Sequence, residues 1–320
     1  MTSPQHAPAT AQQPIGSGYT ARSSADDVLR GIDLSGTVAV VTGGYSGLGL
    51  ETTRALSRAG ATVVVPARRP DAAAAALADL ERVEVEALDL ADLASVRAFA
   101  ARFLTSGRPL GIVIAGAGVM ACPETRVGPG WESQFAINHL GHFAMVNLLW
   151  PAIAAGGGRV VVVASGAADA TAGMRWHDIE FRDGYDKWQA YVQSKTANVL
   201  FASHLDSLGR GAGVRAFSVS PGSILTPLQR HLSREEMVAA GWVDADGNLL
   251  DGTFKTPAQG AATQVWVATS PQLTGLGGVH CEDCDIAQPS PRVTDVSGLD
   301  QAAQLWSLSA TLTGQDAFSA

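Results

Sequence analysis

Lysine occurs at only three positions in this 320-residue chain, Lys187, Lys195 and Lys255, and no run of basic residues is present. With a formal net charge of −8, the sequence gives a polyanion little to grip, which argues against nucleic acid or an anionic membrane surface as partner. Cysteine is equally scarce. Cys122, Cys281 and Cys284 are too few for a disulfide scaffold and fit a reducing compartment. No apolar stretch nears the roughly 20 residues needed to cross a bilayer; Val160 to Ala164 is the size of a strand. The first thirty residues are rich in Pro, Gln, Ser and Thr and lack an apolar core behind a basic start, so they do not resemble a secretory signal. A cytoplasmic location with no membrane partner is the expectation.

What is present, from Val38 onward, is an alternation of short β-branched runs with longer Ala/Leu-rich stretches of helical spacing. That pattern predicts an α/β fold: a doubly wound parallel sheet of the Rossmann type, forming one domain over 31–320 behind an extension over 1–30. Strands are predicted at Val38 to Thr42, Thr62 to Pro66, Val83 to Leu88, Gly111 to Ala115, Arg159 to Ser165 and Val214 to Ser220. Helices are predicted at Gly47 to Ala59, Asp71 to Leu80, Leu93 to Leu104, Trp131 to Ala154 and Trp188 to Leu208. The N-terminal extension reads as loose at first, then as a short helix around Ala25 to Leu29. Two long connections, Gly166 to Lys187 and Ser223 to Lys255, follow strand C-terminal ends, where ligands bind such sheets, and read as substrate loops.

Directly after the first strand stands Thr42-Gly43-Gly44-Tyr45-Ser46-Gly47-Leu48-Gly49, leading into a helix. Glycines allow a tight turn and a close backbone approach, while the free amides and dipole of a helix start favour a pyrophosphate. The spacing Gly-x-x-x-Gly-x-Gly differs from the Gly-x-Gly-x-x-Gly of long dehydrogenases, so context carries the dinucleotide reading. The second strand ends in Val65-Pro66-Ala67-Arg68-Arg69, with no acid for the ribose hydroxyls of NAD. Arginine pairs with a 2′-phosphate, so NADP is the expected cofactor, NAD the second choice, and Arg68 then Arg69 the residues that choose. Asp89-Leu90, after the third strand, is placed to hold the adenine edge; the alternative is that Asp89 caps a nearby helix.

Tyr191-Val-Gln-Ser-Lys195 lies in a helical stretch, and the spacing puts phenol and ammonium on one face, a turn apart. A free tyrosine has a pKa of about 10, too high for proton exchange at neutral pH, and a nearby cation favours phenolate. In a chain that uses arginine freely, a lysine here points to chemistry that arginine would not perform equally well.

These residues together resemble the short-chain dehydrogenase/reductase family, in its retinol-dehydrogenase-like and protochlorophyllide-reductase-like branch, over about Gly31 to Ser309. The matching pieces are the Thr42 to Gly49 turn, Asp89-Leu90, Asn138-His139-Leu140-Gly141-His142-Phe143, Arg159 to Ser165, Tyr191 to Lys195, and Pro221-Gly222 with Ile224 and Thr226. The resemblance implies that Tyr191 is the general acid or base, that Lys195 lowers its pKa and binds the nicotinamide ribose, and that Ser165 holds the substrate oxygen. It also implies that Asn138 supports a proton-relay water, that Pro221, Gly222, Ile224 and Thr226 turn over the nicotinamide, and that a homodimer or tetramer forms by pairing the helices after strands four and five.

One departure is plain. Where the family shows Asn-Asn-Ala-Gly, this chain reads Ala115-Gly116-Ala117-Gly118. Two side-chain hydrogen bonds are lost, while the small residues leave room for adenosine at Ala115 and Gly116. His139 and His142 have no third ligand at metal-site spacing, so no metal is expected, and Cys281-x-x-Cys284 reads as structural thiols. Trp176, Phe181, Trp188 and Trp242 lie in or beside the two long connections and suit an apolar carbonyl or alcohol substrate, as in a carbonyl reductase, unless they merely anchor loops. Two other readings stand beside this one. The first is a cofactor-binding regulator of the same fold with little turnover, and the second a nucleotide-sugar epimerase or dehydratase, which the glycine spacing disfavours.

Overall fold

A parallel strand buried on both faces needs apolar side chains at successive positions, and the β-branched runs supply them. In a computed structural model describing residues 10–168, 173–250, 252, 254–290 and 299–319, all six predicted strands form. They are β1 (Val38–Val41), β2 (Thr62–Ala67), β3 (Val83–Ala87), β4 (Ile112–Ala115), β7 (Arg159–Val163) and β8 (Arg215–Ser220). A small hairpin of β5 (Arg126–Val127) and β6 (Trp131–Glu132) intervenes, and β9 (His280–Glu282) and β10 (Asp285–Ile286) extend the main sheet. The sheet order is β10-β9-β8-β7-β4-β1-β2-β3, with all neighbours parallel except β10 against β9. Strand order therefore reverses between β1 and β4, which opens a crevice at their C-terminal ends.

Helices cover both faces: α1 (Ala25–Val28), α2 (Gly47–Arg58), α3 (Pro70–Ala76), α4 (Leu93–Thr105), α5 (Ser133–Phe135), α6 (Gly141–Leu148), α7 (Trp150–Gly156), α8 (Lys187–Gly209), α9 (Arg234–Ala239), α10 (Pro257–Thr269) and α11 (Leu299–Thr313). The two-residue period sorts the core. Val63, Val65, Ile112, Ile114 and Val161 face α2 and α10, with Trp266 among them, whereas Val64, Val113, Val160 and Val162 face α4, α6 and α8 with Phe99, Phe143 and Phe201.

The single helix predicted over Trp131 to Ala154 is instead broken. Trp131 belongs to β6, residues Ala136–Leu140 form a turn of π-helix, and Leu149 caps α6 before Pro151 starts the next helix in its first turn. The extra residue of the π-turn re-aims the backbone around Asn138. At the N-terminus, residues 1–9 lie outside the described residues. From there the segment expected to be loose is tied to the sheet edge: Gln12 donates to the carbonyls of His280 and Ala287, and the Asp285 carboxylate accepts from the amides of Ile15, Gly16 and Ser17. Of the two long connections, residues 169–172, 251 and 253 also lie outside the described residues.

Helix α11 lies across α8 and α6. Trp306 stacks between Phe143, Phe201 and His204, and Ser309 hydrogen-bonds the buried ring of His139 at 2.7 Å. Every residue from Gly141 to Asn147 is buried, and α11 of the same chain packs on this stretch through Trp306 against Phe143. Among the described residues no helix is long and apolar enough to cross a membrane.

Candidate active site

The turn after β1 is shaped by its glycines. Gly43 and Gly47 have φ of +71° and +51°, a region that favours glycine. At Gly49 a Cβ would stand 2.2 Å from the carbonyl oxygen of Gly43, so a side chain there requires the turn to open. Ser46 precedes α2 in extended conformation, and its side chain makes no capping bond to the helix. The first amides of a twelve-residue helix are thus left without a side-chain partner. Tyr45 and Leu48 flank this turn half-buried.

Two strands away, past the end of β7, lie Ser165, Tyr191 and Lys195. Tyr191 and Lys195 are each 5 % exposed on α8, which Asp186 caps by accepting from the amides of Trp188 and Gln189. The Tyr191 hydroxyl is hydrogen-bonded to Ser165. Burial pushes this phenol up to about 12, and the Ser165 bond pulls the other way. The Lys195 ammonium lies 5.8 Å from the centre of the phenol ring and donates to the Val163 carbonyl at 3.0 Å; burial brings its pKa down to about 8. The net direction at the phenol is therefore upward. Desolvation dominates at Tyr191, and the opposing pull comes from the serine hydroxyl.

Asn138 sits in the π-turn, and its side chain is fully engaged. Its Oδ1 accepts from the Val119 amide at 2.9 Å, while its Nδ2 donates to the Val119 carbonyl at 3.0 Å and to Ser194 Oγ at 2.9 Å. Ser194 in turn donates to the Tyr191 carbonyl. Gly118 completes the fit, since a Cβ there would be 2.9 Å from Asn138 Oδ1 and 3.7 Å from Lys195 Nζ.

Comparison with known proteins agrees with this arrangement. A family profile described as short chain dehydrogenase matches residues 37–237. A "Probable oxidoreductase" of Streptomyces lividans is 48 % identical over 261 residues, 79 % of this chain and 86 % of that protein. Retinol dehydrogenase 12 of Mus musculus is 35 % identical over 289 residues, 88 % of each chain. The chain belongs to the short-chain dehydrogenase family. Its relatives set it in the retinol-dehydrogenase-like branch, and a solved structure of an uncharacterised protein from Mycobacterium paratuberculosis shares the fold with a TM-score of 0.69 at 31 % identity, covering 93 % of this chain and 98 % of that one.

Short-chain dehydrogenases bind a nicotinamide dinucleotide, and the residues present fit one. The glycine turn is a cradle that a Cβ would fill, and it faces the loop after β8. Gly47 lies against Thr226, and Leu48 meets Ile224 over Gly260, where a Cβ would come within 2.7 Å and 2.6 Å of those two side chains. Pro221 is buried, and Gly222, with φ of +89°, packs against Lys255. The Thr226 hydroxyl, expected to reach the cofactor, caps the short helical turn Pro227–Gln229 by accepting from the Leu228 amide at 3.2 Å. Arg68 and Arg69 stand exposed after β2, and among the described residues neither forms an ion pair. Asp89 accepts from the Ala91 amide at 2.9 Å while Asp92 caps α4, so the capping alternative for Asp89 is set aside. A Cβ on Gly141 would be 2.3 Å from the Leu90 carbonyl oxygen, which shows how tightly α6 seats Asp89-Leu90.

At Ala115-Gly116, where the family has its Asn pair, the backbone is held by a residue that carried no separate role in the sequence. Thr42 Oγ1 accepts from the amides of Gly116 at 2.9 Å and Ala117 at 3.0 Å. Nothing in the spacing of Thr42 from position 116 signals this contact. The paired histidines also resolve: His139 turns to Ser309 and His142 to Thr42, in separate directions. Of the four loop aromatics, two reach the site. Trp188 and Trp242 stand 6.3 Å apart and pack with Met120, Leu228 and Leu232 beside Tyr191. Trp176 and Phe181 anchor the first loop elsewhere, Phe181 under the Arg175 guanidinium at 4.9 Å.

Proposed function

We propose that this short-chain dehydrogenase is an NADP(H)-dependent carbonyl reductase for apolar aldehydes or ketones, and the corresponding alcohol dehydrogenase in reverse. The observation that carries the reading is the convergence of Ser165, Tyr191 and Lys195 at one strand end, on the same edge of the sheet as an uncapped helix start cradled by glycines. The Gly43 to Gly49 turn would hold a dinucleotide by its pyrophosphate, and the nicotinamide would supply the hydride. Ser165 holds the substrate oxygen. Tyr191, protonated at neutral pH as a free phenol already is and as burial reinforces, gives its proton to that oxygen as negative charge develops there. Lys195 opposes the charge left on the phenolate. Because the Asn138 side chain is committed to Val119 and Ser194, its part is to hold the loop after β4 against the turn of α8 that carries Tyr191.

The cofactor choice rests on two exposed, unpaired guanidinium groups at the end of β2 and on the lack of an acid there, which favour a 2′-phosphate. The wall of Trp188, Trp242, Leu228, Leu232 and Met120 favours an apolar substrate. Turnover is favoured over a purely regulatory role because Ser165, Tyr191 and Lys195 are all present and stand together past the end of β7. Three free, buried cysteines support a cytoplasmic setting.

The test is a titration of native protein and Arg68→Ala with NADPH and NADH, followed by NADPH consumption with a panel of apolar carbonyl compounds. Native protein is expected to prefer NADPH and Arg68→Ala to lose that preference, while Tyr191→Phe loses about 10²- to 10⁴-fold in turnover. Equal affinity for the two cofactors in native protein overturns the NADP assignment, and a Tyr191→Phe variant as active as native protein overturns the catalytic reading.

A further inference from the structure

At the end of β4 the backbone is held from beneath by a buried series of hydrogen bonds whose donors can be assigned one by one. His142, 1 % exposed, lies on α6 one turn past Asn138. Its Nδ1 is 3.0 Å from the main-chain oxygen of Asn138, and its Nε2 is 2.8 Å from Thr42 Oγ1. A carbonyl oxygen only accepts, so Nδ1 carries the proton. Burial, helped by the Lys195 charge, holds this imidazole down at about 4, so the ring is neutral and Nε2 offers a lone pair. The Thr42 hydroxyl then donates to Nε2, in preference to the Ile114 carbonyl at 3.3 Å. Its own lone pairs accept the amides of Gly116 and Ala117.

The two ends of this series are parts of the active site. Ala117 Cα would be 3.1 Å from a Cβ on Gly43, so the Gly116-Ala117 backbone is the floor of the glycine turn. Asn138 grips both the loop after β4, through Val119, and the turn of α8 below Tyr191, through Ser194. We infer that His142 is a positioning residue for the reaction, its imidazole locking the Asn138 backbone to the floor of the cofactor turn. The inference rests on the oxidoreductase reading proposed above. Neither histidine nor threonine touches the reacting atoms; they act by fixing the distance between the dinucleotide cradle and the proton donor.

The test has two parts. Nitrogen-15 imidazole spectra of the native protein without ligand are expected to show His142 as the Nδ1-protonated neutral tautomer, unchanged from about pH 5 to 8. An Nε2-protonated or titrating ring overturns the inference. In the second part, His142→Phe keeps the bulk and removes both ring nitrogens. It is expected to bind NADPH about tenfold more weakly, to turn over about 10- to 100-fold more slowly, and to exchange the Gly116 and Ala117 amides faster. His142→Gln, whose amide oxygen can accept from Thr42, is expected to recover part of the loss, and Thr42→Val combined with His142→Phe to add little to either alone.

A folded His142→Phe protein that keeps its NADPH affinity, turnover and amide exchange within about twofold of native overturns the inference. Should His142→Phe fail to fold, the exchange and turnover of His142→Gln against Thr42→Val decide the matter. Native protein that binds neither NADPH nor NADH sinks the oxidoreductase reading and the positioning role with it. Native binding matched by the His142 variants sinks the positioning role alone.

Discussion

The pocket around Tyr191 has two walls made in different ways. The inner wall is backbone: the Val163 carbonyl holds Lys195 and Asn198, Val119 holds Asn138, and Thr42 holds two consecutive amides. The outer wall is side chain: Trp188, Trp242, Leu228 and Leu232, with Met120. Part of it stands on the 223–255 connection, which an ion pair between Lys187 and Glu236 fastens to the start of α8. Backbone hydrogen bonds fix positions within tenths of an ångström and tolerate little change, whereas apolar side chains exclude water and can be exchanged one for another. The division suits an enzyme whose proton and hydride chemistry is constant and whose substrate is selected by shape.

If the comparison is right, damage to the inner wall costs far more than damage to the outer one. The largest effect is expected from Gly49→Ala, whose Cβ would meet the Gly43 oxygen at 2.2 Å. Strain of about 1–3 kcal/mol, drawn from cofactor binding, weakens NADPH affinity about 10- to 100-fold, measurable by fluorescence titration. Next is Lys195→Arg. In native protein the ammonium is lost as pH rises through about 8, so turnover is expected to fall on the alkaline side of that value. Arginine keeps its charge, and the variant's pH profile should lose that limb while its overall rate drops about tenfold from misplacement. An unchanged profile would detach Lys195 from the chemistry.

On the outer wall, Trp242→Ala is expected to raise KM about tenfold for an apolar carbonyl compound with kcat nearly kept. A matching loss in kcat would mean that the tryptophan also orders the inner wall. The smallest effect should come from Glu236→Gln, since both partners of its ion pair keep contact with solvent. Kinetic constants within about twofold of native are expected there, and a larger change would make the ion pair a true latch.

The sequence carried β1, β2, β4 and β7 because each is an apolar run rich in β-branched residues and buried on both faces, and it carried β3 by its Val-Glu alternation. It did not carry β9 and β10, which are three and two residues long and meet at a turn formed by Asp283 and Cys284 in left-handed conformation. Helix α10 was missed for the opposite reason. It is buried from Gly260 to Ala268 with Gly, Ala, Thr and Gln on its surface, so no apolar stripe stands out. In α11, Ser309 and Thr313 share the buried face with Leu305 and Trp306, which interrupts the apolar spacing.

At the site, Tyr191, Lys195 and the glycine turn were legible because their spacing is local. The partners that decide their state are not. Ser165 stands 26 positions from Tyr191, Thr42 is 100 positions from His142, and the π-turn at Asn138 leaves no mark in composition. Position along the chain says little about who desolvates whom, which is why the direction of the Tyr191 shift came out only in three dimensions.

Helix α11 stands directly behind the π-turn that carries Asn138. Through Ser309 it touches His139, the neighbour of Asn138, and through Trp306 it backs Phe143 and Phe201, so it braces the rear of the reaction chamber from 170 positions along the chain. Trimming or grafting this helix is accordingly an operation on the ground that Asn138 and α8 stand on.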